Sequence, residues 1–144
     1  MNSAVQPGPE TEKSAPVGRG QIWTGRILSG LIAAFLLLDA AMKFAQPKPV
    51  AASFARLGWP LHLSPVLGWI LLASTMLYLV SRTAVLGAIL LTGYLGGGVA
   101  TNLRLELPLF SQILSPVYVG VLVWGALWLR DVRLRELIPL RRGR

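Results

Sequence analysis

Four stretches of the chain stay apolar for long enough to cross a hydrocarbon core, and short polar punctuation separates them. The first, residues 27–45, would extend about 28 Å as a helix at about 1.5 Å per residue. The second opens at Ser64-Pro65, a capping residue followed by proline at the first helical position, and continues to Val80. Ser81-Arg82-Thr83 then turns the chain, and so short a connection makes the second and third spans antiparallel neighbours. The third covers residues 84–101. The fourth repeats the Ser-Pro opening at Ser115-Pro116 and ends near Leu129. Were that helix to begin at Gln112 instead, Pro116 would kink it. The pattern predicts an all-α membrane protein, a bundle of four transmembrane helices.

Two shorter stretches read as lying on the membrane. Residues 49–57 place Val50, Phe54 and Leu57 on one helical face, and Gly58 follows as a C-terminal cap. That predicts a short interfacial helix between spans one and two. After Arg130, the apolar residues Leu134, Leu137 and Ile138 alternate with arginines until Pro139 ends the pattern. Basic side chains there favour anionic lipid by about 1 kcal/mol each. Residues 1–22, rich in proline, glycine and mixed charge, read as a disordered cytoplasmic tail and not as a signal peptide. Nor is the first span a cleaved signal, because Asp39 and Lys43 interrupt it. Residues 23–140 then form the membrane domain and 141–144 a basic tail.

Composition agrees with this reading. Apolar residues make up 53% of 144 and charged ones 14%, more apolar surface than a soluble domain of this size can hide. The net charge of +8 sits at the ends of the apolar runs, so the partner it implies is the bilayer and not nucleic acid. Lys13, Arg19, Arg26, Arg82 and the arginines from Arg130 onward share one side. Lys48, Arg56 and Arg104 occupy the other, with Lys43 at its edge. The positive-inside bias puts both termini in the cytoplasm. Trp23, Tyr78 and Trp128 then fall at the inner interface, with Trp59 and Tyr118 at the outer. The chain has no cysteine, and His62 is its only histidine. Disulfides, thiol chemistry, bis-histidine haem and histidine-rich metal sites are thereby excluded for this chain alone. Any cofactor it held unaided would be organic and unligated.

Asp39 and Lys43 stand at i,i+4, so their side chains can meet on one face of the first span. A carboxylate within a span costs about 2.5–3.5 kcal/mol on insertion scales. It is either one half of a self-neutralising structural pair or a proton or ligand site. Its carboxylate is expected to face the bundle interior, within reach of Lys43 and of a third-span group such as Thr101 or Asn102. Folding the spans together also brings Thr101, Asn102, Arg104, His62, Ser64, Ser115 and Tyr118 to one depth, a candidate polar cluster. The pairs Gly93/Gly97 and Gly96/Ala100 follow small-xxx-small spacing, which predicts close helix packing and not a phosphate loop.

Several stretches resemble the DoxX-like family of small bacterial membrane proteins. They are Asp39-Ala-Ala-Met-Lys43, Phe54-Ala-Arg-Leu-Gly-Trp-Pro60, Pro65-Val-Leu-Gly68, Arg82-Thr-Ala-Val-Leu-Gly through Gly93-Tyr-Leu-Gly-Gly97, and Trp128-Leu-Arg-Asp131. The resemblance covers roughly residues 26–140 and implies a four-helix bundle in the bacterial cytoplasmic membrane. The family takes its name from a membrane subunit of a thiosulfate:quinone oxidoreductase, although most members have no assigned reaction. The family pattern usually carries histidine where this chain has Asn102, and asparagine does not titrate. Three functions follow as expectations. The first is an accessory or scaffolding component without stand-alone catalysis. The second is the membrane subunit of a quinone-linked oxidoreductase, with quinone as ligand and a redox partner supplying other cofactors. The third is a small transporter or channel.

Reporter fusions test the topology. Those after Arg82 and at Arg144 are expected to report the cytoplasm, and those near Lys48 and Leu107 the opposite side. An external C-terminus would sink the arrangement.

Overall fold

The computed structural model describes residues 18–137, and all of its regular structure is helical. Helix α1 runs Arg19–Ala45, α2 Lys48–Leu57, α3 Ser64–Leu79, α4 Ala84–Arg104, α5 Ser115–Arg130 and α6 Val132–Leu137. A 3-10 turn, Leu61–Leu63, leads into α3, and a π turn, Leu109–Ile113, leads into α5. With these turns included, four helices are long and apolar enough to cross a membrane. The expected tail over residues 1–17, and the end of the chain from Ile138 onward, lie outside the described residues; residues 19–22 already belong to α1.

Local chemistry places the boundaries. Gln46, in the left-handed region at φ 48°, ends α1 by turning its N–H onto the Met42 carbonyl. Gly58, at φ 69°, ends α2 with its N–H on Ala55, while the Trp59 N–H reaches Phe54, a Schellman pattern. Proline occupies the first turn of α2, α3 and α5, where no intrahelical N–H is needed. The turn residues 80–83 hold α3 against α4, and the Thr83 hydroxyl donates to the Leu77 carbonyl at 2.9 Å.

The long helices form a ring in which α1 packs on α3 and α5, and α4 packs on α3 and α5. At the end where α1 begins and α5 finishes, the packing is tight. A Cβ on Gly25 would lie 2.8 Å from the Arg130 nitrogen, and one on Gly87 would collide with the backbone of Tyr78. Leu71, Tyr78, Leu91, Val123 and Leu127 are fully buried there. Tyr78, expected at the interface, is instead the largest buried side chain. Its hydroxyl donates to the Val123 carbonyl at 3.0 Å and lies 3.3 Å from the Ser29 hydroxyl. The Arg130 guanidinium stacks 4.6 Å from its ring centroid and donates to its carbonyl. By contrast Ile27, Leu31, Phe35, Leu38, Trp69 and Val121 are well exposed, an apolar perimeter that only lipid can solvate.

Toward the α2 end the ring opens. On one side, α1 and α3 stay together, where the Ser64 hydroxyl donates to the Lys43 carbonyl at 2.8 Å and Gly68 admits the Phe44 ring. On the other, α4 and α5 stay together through Trp124 Nε1 donating to Thr92 Oγ1 at 2.9 Å. Beyond Leu91 no residue of α4 is fully buried. The close crossing expected at Gly93, Gly96, Gly97 and Ala100 is therefore not made among the described residues. A Cβ on any of those three glycines would meet nothing within 4 Å, and the tight crossings fall at Gly25 and Gly87 instead.

Gly87→Ala should accordingly lower stability by about 3 kcal/mol, because its neighbour is backbone and cannot yield. Gly96→Ala should be neutral or mildly stabilising. Thermal unfolding of the two variants in one detergent checks both.

Candidate functional site

Where the two helix pairs diverge they leave a cavity of about 740 Å³, within the range usual for small-molecule sites. Its walls are mainly apolar: Leu36 of α1, Leu67 of α3, Leu95 of α4, Val119 of α5. Helix α2 lies across the mouth, adding Val50, Ser53, Phe54 and Leu57, with Trp59 at the rim. The amphipathic face expected for α2 is thus the face that lines the cavity, and Phe54 is buried. Arg104 fastens this segment to α4, its guanidinium donating to the Leu57 carbonyl at 3.3 Å. A cation at the C-terminal end of α2 also suits the helix dipole.

Polar groups converge on one wall. Lys43 Nζ donates to Asp39 Oδ2 at 2.6 Å, a short charge-assisted bond across one helical turn. The Lys43 side chain is 14% exposed and Asp39 42%, so the cation is tucked against protein while the carboxylate meets the cavity. The hydroxyl of Tyr94, from α4, lies beside the same ammonium and feels both charges. Sequence reasoning passed over Tyr94. Its only signal was position, one helical turn before Gly98 on a helix facing α1.

The proposed cluster is only partly assembled. Asp39, Lys43, Thr101 and Asn102 line the cavity, as does Ser115. Thr101 and Asn102 do not reach the ion pair, because each is committed elsewhere. The Thr101 hydroxyl donates back to Gly97 of its own helix at 2.9 Å. Asn102 Nδ2 donates to the Gln112 carbonyl at 2.8 Å. That carbonyl is the one Pro116, four residues on and without an N–H, cannot satisfy. Asn102 therefore replaces the hydrogen bond that the second Ser-Pro opening removes. At the first opening Gln46 Nε2 donates at 3.3 Å to the Leu61 carbonyl, four residues before Pro65, which also receives the Ser64 N–H. Ser64 is buried against Lys43, whereas His62 and Tyr118 are exposed and do not join the lining. Arg104 stands at the rim.

A helical, four-span membrane protein with a largely apolar cavity and one paired charge is the class that fold and site define. The chain belongs to the DoxX-like family, whose model matches residues 27–126. That stretch contains the ion pair, α2, the glycines of α4 and most of α5, while Trp128-Leu-Arg-Asp131 lies beyond it. Searches among curated proteins and among solved structures found no significant match.

The ion pair allows a direct energetic test. Asp39→Asn keeps an acceptor for Lys43 and should lower stability by about 1 kcal/mol. Asp39→Leu strands a largely covered ammonium and should cost about 3 kcal/mol, whereas adding Lys43→Leu should restore most of that loss. Denaturation midpoints of the three variants decide whether the pair is self-neutralising.

Proposed function

We propose that this chain is an accessory membrane component without stand-alone catalysis, and that its cavity holds a neutral, lipid-soluble molecule with a hydrogen-bond-accepting head. A quinone is the ligand class that fits best. The observation that carries this reading is the placement of two donors, Lys43 of α1 and Tyr94 of α4, in a largely apolar cavity. An ammonium has three protons, and Asp39 takes one of them. A carbonyl of a ring compound can accept from the Lys43 ammonium and the Tyr94 hydroxyl, while its apolar tail follows Leu36, Leu95 and Val119. Because Asp39 already balances the cation, a neutral head is favoured over an anion.

Holding a ligand suits this cavity better than conducting one, because its lining is largely apolar and its two charged groups are paired with each other. With no cysteine and one histidine in the chain, the electron-carrying groups of a quinone-linked assembly belong on a partner. In this reading the assembly belongs to the bacterial cytoplasmic membrane with both termini cytoplasmic, which the positive-inside charge bias supports.

Titrating the detergent-purified protein with a decyl-tailed benzoquinone should quench its tryptophan fluorescence saturably, since Trp59 stands at the rim. Gly97→Phe, which fills open space in the cavity, and Lys43→Leu in the Asp39→Leu background should each abolish the saturable component. Quenching that is linear in the wild type, or identical in all three proteins, would overturn the proposal.

A further inference from the structure

A second, separate hollow runs along the outside of the molecule between α4 and α5. It has a volume of about 670 Å³ and is bounded by Leu95 and Val99 on one side, Val121 and Trp124 on the other. Its polar atoms are already spent on each other. The Trp124 indole N–H donates to Thr92 Oγ1, and the Thr92 hydroxyl donates to Ala88 at 2.8 Å. The surface offered is hydrocarbon. Gly96 and Gly125 keep it hollow, since a Cβ on either would meet nothing within 4 Å. These glycines are not there to admit another helix of this chain.

Length and charge choose among occupants. The groove follows α5 from Pro116 to Trp128, a rise of about 18 Å. That is little more than half of a hydrocarbon core about 30 Å thick. A spanning helix from another molecule would need the full depth, whereas an acyl chain of a single leaflet needs about this much. At one end the groove is lined by Leu134 of α6, and next to it Arg133 is exposed. The Asp131 carboxylate there is turned to the Arg133 backbone N–H at 3.0 Å, and the Arg130 guanidinium is engaged by Tyr78. We infer that the α4–α5 groove seats one acyl chain of an anionic phospholipid, whose phosphate lies at the α6 end against Arg133. The site is distinct from the central cavity and stands or falls independently of the ligand proposed there.

The test uses the full chain purified in a neutral detergent, with phosphatidylglycerol or phosphatidylcholine added and lipid retention read by native mass spectrometry. Wild type should retain phosphatidylglycerol in preference to phosphatidylcholine. Gly96→Leu with Gly125→Leu should remove most retention of both lipids while lipid-free melting stays at the wild-type temperature, because the new side chains enter open space. Arg133→Gln should leave phosphatidylcholine retention unchanged and lower that of phosphatidylglycerol by about fivefold. Retention unaffected by the filled groove would overturn the proposal, as would equal retention of the two lipids by wild type. So would a wild-type dimer that the filled groove dissociates, since the occupant would then be a second copy.

Discussion

In hydrocarbon a hydroxyl has no water to turn to, and the Tyr78 hydroxyl lies in the middle of four helices that are themselves surrounded by lipid. It resolves this by bonding outward from α3 to Ser29 on α1 and to the Val123 carbonyl on α5. The backbone of the same residue presses on Gly87 of α4, and its carbonyl and ring receive Arg130. All four spans therefore meet at one residue. It fixes the end of the bundle opposite the mouth of the cavity. Because association in lipid relies on packing and hydrogen bonds and not on excluding water, such a junction carries more of the specificity than an equivalent apolar layer would.

The same demand for satisfied backbone groups explains features that look incidental. Each proline that opens α3 and α5 lacks the N–H that a carbonyl four residues earlier would otherwise receive. Asn102 donates to the Gln112 carbonyl, and Gln46 joins the Ser64 N–H at the Leu61 carbonyl; in doing so they pin the π turn to the end of α4 and the loop before α3 to the end of α1. The Asn102 amide is engaged with a main-chain carbonyl. In this chain that position is part of the frame of the cavity as well as of its lining.

Spans and turns were legible in the sequence because they depend on neighbours within a few residues. The expected serine caps are not made: Ser64 and Ser115 are the first helical residues, after Leu63 and Leu114, and neither helix has a side-chain cap. The Ser81-Arg82-Thr83 turn, the cap at Gly58 and the amphipathic face of α2 all stand in the structure as periodicity implies. The Asp39–Lys43 pair was legible for the same reason, being one turn apart on one helix. What could not be read was the rotation of each helix about its axis. That rotation turns Tyr78 from an interfacial residue into a buried one, brings Tyr94 to Lys43, and leaves Gly93, Gly96 and Gly97 facing hollows instead of helices. Small-residue spacing signals that something can come close. It does not say whether the neighbour is protein, lipid or ligand.

Since the firm crossings all lie at one end, the spacing of the helices at the other is set by what links them there. Those links are the segment from Gln46 to Leu63, with α2 inside it, and the segment from Leu105 to Leu114. Arg104, the last residue of α4 before the second segment, donates to the Leu57 carbonyl in the first. The width of the opening is therefore a property of the two linking segments, whereas most of what a molecule inside would touch comes from the spans themselves.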